Sequence, residues 1–247
     1  MFPIIIFWLF FATTLLQSKQ RKLLITKSLQ DWFLDGIGLC FQGAIIPLLQ
    51  IGIATHLYQK ILPQSQGCLI IEPWLGFIIS FVIVDYIYYW THRLLFHEIL
   101  FSVHAVHHSV TQMDMLGTSR NTLWSSLFLP YIWLNSLMLY LLSDYRGYAF
   151  GFLLTCLLDL WRHSSWNLPE NNIIHRILNP WLILPQDHAH HHCGDKLGNF
   201  AANLKLWDIF HGTYIKPNYH DENMGITLNI NIVQKLFFPF TPFNKED

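Results

Sequence analysis

The sequence predicts an all-α, multi-pass membrane protein with about four spans or span-hairpins and its histidine clusters gathered on the cytosolic side. Three observations carry that prediction. Only 13% of the 247 residues are charged, against 52% hydrophobic and 16% aromatic, whereas soluble domains carry about 25% charged residues. Several apolar runs approach the length of a bilayer crossing. Two dense histidine clusters, His92 to His108 and His188 to His192, each follow an apolar stretch.

In chain order, Met1 to Gln17 is uncharged and rich in Ile, Phe and Leu, with Lys19, Arg21, Lys22 and Lys27 after it. A signal peptide places its positive residues first, so the stretch reads as an uncleaved anchor, at the short end for a span. Gly36 to Thr55 is the next candidate span, with Gln42, Pro47 and Gln50 inside it. Its Gly36-Ile37-Gly38 is no dinucleotide loop, because Phe41 takes the third glycine position and no strand precedes it. Ile70 to Trp90 follows, bracketed by Trp74 and Trp90 as interface anchors. Thr122 to Leu142 is a span without a charge, and Gly147 to Trp161 returns as a half-span or hairpin arm after Ser143-Asp144-Tyr145-Arg146. Beyond Asp187 the chain turns polar, with a loop around Cys193-Gly194-Asp195-Lys196. Ile230 to Phe243, interrupted by prolines, reads as a segment lying on the membrane.

The basic residues Lys19 to Lys27 set the orientation by the positive-inside rule. With that loop cytoplasmic, the alternation of spans places His92 to His108, His163 and His188 to His192 all on the cytoplasmic side. The expected location is an integral multi-pass membrane protein: inner membrane if bacterial, endoplasmic reticulum if eukaryotic. The net charge of −1 gives no electrostatic case for nucleic acid. Cys40, Cys68, Cys156 and Cys193 are isolated, so neither a disulfide framework nor a thiolate metal site is expected.

The histidines carry the chemistry. His104, His107 and His108 stand at i, i+3 and i+4, within about 100° of arc on one helix face. His188, His191 and His192 repeat the H-x-x-H-H spacing, and His190 points about 200° from His188. On one unbroken helix His97 shares the face of His104 within about 20°, while His92 lies about 140° from His97. His92 therefore needs a helix break or a bulge, or serves a different metal or face. His163 sits at the mouth of the last hairpin. Asp159, one turn earlier and at membrane depth, is the candidate to orient an imidazole through the ring N–H that faces away from a metal. Asp187 and Asp208 are further candidates for that supporting role. Asp85 is too far from His92 along its helix and needs a partner from another segment. Imidazole suits Fe, Zn, Cu and Ni rather than Mg or Ca, and eight or nine imidazoles exceed one tetrahedral zinc and suit two metal ions. Single histidines more often lie on a surface or in a core; two repeated motifs plus His92 and His97 on one membrane face favour metal. Tyr86, Tyr88 and Tyr89 read as an interfacial belt, and His56, His175, His190 and His220 as ordinary residues.

From Ile70 to Phe243 the chain resembles the fatty acid hydroxylase superfamily, which includes sterol desaturases, sterol methyl oxidases and carotene hydroxylases. The carriers are DYIYYWTHRLLFH, HAVHHSVTQMDMLGTSR, RHSSWNLP, and LPQDHAHHH followed by GNFAANLKLWDIFHGTY. The resemblance implies a catalytic domain over residues 70–243, with residues 1–69 as N-terminal anchor spans. It also implies a cytosolic, histidine-rich helical cap with a histidine-bound di-iron centre, whose motif positions fall on His92, His97, His104, His107, His108, His163, His188, His191 and His192. Iron is the implied metal, with zinc an alternative in a purified preparation, and O2 the co-substrate. Three positions depart from the pattern: Thr122 where a histidine is usual, Ser165 where asparagine is frequent, and His211 where the family ending has phenylalanine.

The leading functional reading is O2-dependent oxidation of a lipid C–H bond, as hydroxylation or desaturation of a sterol, fatty acyl or isoprenoid lipid. No Rossmann loop, haem-attachment motif or iron–sulfur cysteine pattern occurs in the sequence, so a separate electron donor is implied, such as a reductase, a ferredoxin or a small haem protein. The alternatives are a catalytically silent metal-binding scaffold of the same fold and a membrane metal transporter. A transporter requires polar residues spaced through its spans, whereas these histidines gather at one face.

Overall fold

A computed structural model describes residues 2–193, 198–217 and 224–240. Among them the structure is helical, and strand-type pairing is confined to isolated bridges such as Leu69 with Leu142. Helix α1 spans Phe2–Leu15 and α2 spans Ser18–Thr26. Two long continuous helices follow, α3 at Leu29–Ile61 and α4 at Pro73–Ile99. Then come α5 at Phe101–His108, α6 at Pro130–Leu141 and α7 at Arg146–Arg162. Short helices complete the chain: α8 at Ile173–Leu178, α9 at Pro185–His191, α10 at Leu206–Phe210 and α11 at Ile232–Phe237.

Helix starts follow local chemistry. Ser28 caps α3 by accepting the Asp31 N–H at 3.1 Å, and Pro73, Pro130 and Pro185 occupy first turns, where a missing N–H costs nothing. Pro47 lies inside α3 immediately after the widened i→i+5 turn at Phe41–Ile45. Such a turn absorbs the ring clash and the lost hydrogen bond that proline brings to a helix interior.

Among the described residues α3 and α4 are the helices long and apolar enough to cross a membrane, at 33 and 27 residues, against about four spans expected. Their outward faces expose Leu48, Ile51, Ile78 and Ile83. The expected span Thr122 to Leu142 divides into a 3₁₀ turn at Leu123–Phe128 and the 12-residue α6. The cause is Pro130, which holds Leu129 extended at φ −76, ψ 139. Helix α7, with 17 residues, covers about 26 Å, and the 14-residue α1 about 21 Å, short of the ~30 Å apolar layer. Helix α1 lies along α7, and Phe10 stacks on Trp166 with ring centroids 6.0 Å apart.

Helices α3, α4, α6 and α7 run between the same two ends. At one end the Leu69 N–H donates to Leu141 O at 2.8 Å, and Gly147 lies so close to Pro73 that a Cβ would meet its carbonyl oxygen at 1.8 Å. At the other end are all the clustered histidines and Lys27. The N-terminal segment is joined to the rest by buried ion pairs of Lys27 with Asp35 and Asp114, and of Arg120 with Asp35. Helix α11 lies across the start of α3, and Trp124 Nε1 donates to Phe237 O at 2.8 Å. It leaves Val233, Phe237, Phe238 and Phe240 exposed, as a segment lying on a membrane would; residues 241–243 of that expected stretch lie outside the described residues.

Candidate metal centre

The histidines arrive by three routes. The end of α4, Thr91–Ile99, is wound with i→i+5 hydrogen bonds. That winding brings residues five apart onto one face, and His92 and His97 face each other with Nε2 atoms 3.3 Å apart. The mismatch seen in an ideal helix is thus resolved by a bulge. The helix then breaks at Leu100, φ −112, ψ 35, so His97 and His104 do not share one unbroken helix as expected. The second route is α5, and the third is the end of α7 together with α9.

Nine buried imidazoles converge in two groups. His92, His97, His104, His108 and His191 form one, and His107, His163, His188 and His192 the other. Within each group the candidate ligand nitrogens all lie within 4.8 Å of one another. The two H-x-x-H-H motifs cross over. Helix α5 sends its i and i+4 histidines, His104 and His108, to the first group and His107 to the second. Helix α9 and its cap send His188 and His192 to the second and His191 to the first. The groups adjoin, with the rings of His108 and His192 centred 4.6 Å apart.

Four rings are oriented from behind by backbone carbonyls. The Nδ1–H of His92 donates to Phe200 O at 2.6 Å and that of His191 to Gly198 O at 2.7 Å. His163 donates to Asp159 O at 2.8 Å and His107 to Arg120 O at 3.2 Å. This assignment leaves Nε2 of each ring as a lone pair aimed into its group. The Nε2 atoms of His107 and His163 then face each other across 3.2 Å, with both other nitrogens already committed. Two lone pairs so placed repel unless a cation lies between them, so the residues fit a metal ion. Protonation is the other remedy, and burial opposes it. Burial pushes His107 and His191 down to about 4 and His163 down to about 3, from an ordinary 6.5. It also holds His104, His108, His188 and His192 well below 6.5. Neutral imidazole is the form that binds metal.

The carboxylates expected behind the imidazoles act differently. Asp159 serves through its backbone carbonyl, while its side chain pairs with Arg162 and stands 3.5 Å from His163 Nδ1. Asp187 accepts the Leu184 N–H at 2.9 Å at the start of α9 and pairs with Lys205 at 2.8 Å. Asp208 accepts the N–H groups of Phe200 and Ala201 at 2.8 and 2.9 Å, and burial raises its pKa. It therefore holds the loop whose carbonyls orient His92 and His191. Asp85 finds its partner on another segment, accepting from Asn203 N, Leu204 N and Trp207 Nε1 at 2.8, 2.9 and 3.0 Å.

The remaining expectations divide. His56 is exposed on α3, while His175 and His190 are buried outside both groups, and His220 lies outside the described residues. Tyr86 and Tyr89 do not form a belt: they pack with His211, and Tyr86 stands 4.5 Å from the Trp207 ring. Tyr88 lies between His92 and Tyr131, with ring centroids 5.1 and 5.2 Å away. Thr122 is buried and donates to Lys235 O at 2.9 Å, tying α11 down, and Ser165 donates to Gln20 at 2.7 Å. None of the three departures enters a histidine group. The carbonyls of Gly198, Phe200 and Arg120 were invisible in the sequence, because an acceptor on the backbone has no residue signature. The acid Asp35, at the edge of an apolar run, was a signal left unused.

A family profile described as fatty acid hydroxylase matches residues 77–213, more than half of the chain and all nine clustered histidines. Human alkylglycerol monooxygenase is 29% identical over 178 residues, covering 68% of this chain and 37% of that protein. The chain thus spans little more than a third of the length of that relative. No solved structure matches.

Proposed function

Because the chain belongs to the fatty acid hydroxylase family, we propose that its two histidine groups hold two iron ions and that it oxidises a lipid C–H bond with O2. The observation that carries this reading is the convergence of nine buried imidazoles, four of them oriented so that their lone pairs point inward. All-nitrogen sets suit iron, zinc or copper rather than magnesium or calcium. Bound iron would supply the oxidising power for an unactivated C–H bond, which no side chain here can provide.

The chain's own residues bind, orient and exclude. His92, His97, His104, His108 and His191 would hold one ion, and His107, His163, His188 and His192 the other. Burial keeps these imidazoles neutral and the centre poor in water. The centre stands at the end of α3 and α4, whose outer faces are apolar, so a lipid chain can approach from the bilayer. Lys27 lies at that same end, beside Asp114, which supports a cytoplasmic centre by the positive-inside rule. The name of the human relative favours a monooxygenase acting on a glycerol ether lipid among the candidate substrates; a sterol, fatty acyl or isoprenoid lipid comes from the broader family. Electrons are supplied by a separate donor protein.

The test is a comparison of lipid extracts from aerated cells with and without the gene, in the presence of a competent reductase. One lipid class should differ by one oxygen or by two hydrogens. Identical extracts would favour the catalytically silent scaffold. A transport role is disfavoured, because the histidine groups sit at one end of the bundle instead of along it.

A further inference from the structure

Each histidine group is held from behind by its own pair of carbonyls, and a different buried carboxylate stands behind each group: Asp208 behind the loop of the first pair, and Asp35 behind one carbonyl of the second. For the first group the carbonyls are those of Phe200 and Gly198, on the loop that Asp208 grips through two N–H groups and the Thr213 hydroxyl at 2.8 Å. For the second group one carbonyl belongs to Asp159 on α7, and the other to Arg120. Arg120 is 4% exposed, and its guanidinium donates to both oxygens of Asp35, at 2.6 and 3.2 Å. It also donates to Ser109 O at 3.2 Å, immediately after α5. Arg120 therefore grips the end of α5 twice, through its side chain at Ser109 and through its carbonyl at the His107 ring.

What holds Arg120 lies outside the family-matched region. Asp35, on α3, is 1% exposed and also pairs with Lys27, which continues to Asp114 at 2.7 Å. Close approach of α3 to this segment is built in, since a Cβ on Gly38 would meet Ser119 O at 1.9 Å. A carboxylate that accepts a planar fork fixes both position and direction of the guanidinium.

Resting on the two-metal reading, we infer that Asp35 is a positioning residue chiefly for the second metal, acting through the Arg120 carbonyl at His107, while Asp208 positions the first. The N-terminal segment is then part of the centre and not only a membrane anchor. Support of this outer kind typically changes metal affinity by about 10–100-fold.

The experiment measures metal per chain and helical circular dichroism in the purified full-length protein after anaerobic loading with Fe(II) and desalting. Wild type should retain about two ions, and Asp35→Asn and Asp208→Asn about one each. Combination with ligand variants identifies which site is lost. Asp35→Asn added to His188→Ala should leave about one ion, because both act on the second group; added to His97→Ala it should leave close to none. Asp208→Asn should show the opposite pattern, and Asp35→Glu should restore the second ion. Where Asp35→Asn fails to fold, Arg120→Lys replaces it, keeping the charge and the carbonyl but losing the fork. Asp35→Asn that retains two ions, or that depletes the first group, overturns the inference and leaves the two-metal reading intact. Wild type that retains no metal removes both.

Discussion

Replacement of Asp85 by alanine tests how the fold supports the centre. The carboxylate is fully buried and accepts from two backbone N–H groups, of Asn203 and Leu204, and from the Trp207 indole. Alanine orphans all three donors, the Asn203 N–H fully buried and those of the half-buried Leu204 and Trp207 partly so. At roughly 1–2 kcal/mol for each unsatisfied donor, the loss is at most about 3–6 kcal/mol. For a chain of this size that lowers the melting temperature by roughly 6–24 °C. Asp85→Asn, which keeps one acceptor oxygen, should lose about half as much. The assay is thermal unfolding of the detergent-purified protein followed by tryptophan fluorescence. The residues released include Asn203, on the same loop as Phe200, so iron retention should fall in parallel. A melting temperature for Asp85→Ala within about 2 °C of wild type would refute the reasoning and mark these hydrogen bonds as dispensable.

Two further outcomes follow from the same structure. Burial lowers the pKa of seven clustered imidazoles outside the long helices, His107 and His191 to about 4 and His163 to about 3. The unfolded chain then binds more protons than the folded one below the ordinary 6.5, so stability rises with pH across that window. Metal-free protein should be at full stability above pH 6.5 and lose it as pH falls toward 4, seen as a lower melting temperature at about pH 5 than at about pH 7.5; equal values would contradict the burial. Gly38→Ala should destabilise by about 1–3 kcal/mol through its clash with Ser119. Gly36→Ala, which meets nothing within 4 Å, should be neutral or stabilising; similar melting temperatures for the two would count against the close approach.

Much of the site was legible because imidazoles at fixed helical offsets announce a shared face. All nine expected histidines converge, and of the alternatives open for His92 (a helix break, a bulge, or a different metal or face) the i→i+5 turn at Thr91–Ile99 provides the bulge. The division between groups was not legible. An ideal helix places His104, His107 and His108 on one face, and only the position of α9 opposite α5 decides that His107 crosses over. The supporting roles were legible only in part: Asp159 stands behind His163 and Asp208 holds the loop behind His92 and His191, but the atoms that orient the rings were not. Sequence reasoning looks for side chains, and so proposed Asp159, Asp187 and Asp208, whereas the ring acceptors are backbone carbonyls. The span count suffered from composition alone: Thr122 to Leu142 is apolar throughout, but Pro130 divides it. Asp85 illustrates the opposite case. An acid inside a span suggests chemistry, and here it fastens a loop.

The most direct test of the central claim is the metal content of the purified chain after anaerobic iron loading, measured for wild type, His97→Ala and His188→Ala. The two-group geometry predicts about two iron ions in wild type and about one in each variant, with the two variants differing in which neighbours still hold metal. A wild type with no retained iron, or variants that retain as much as wild type, would contradict the account.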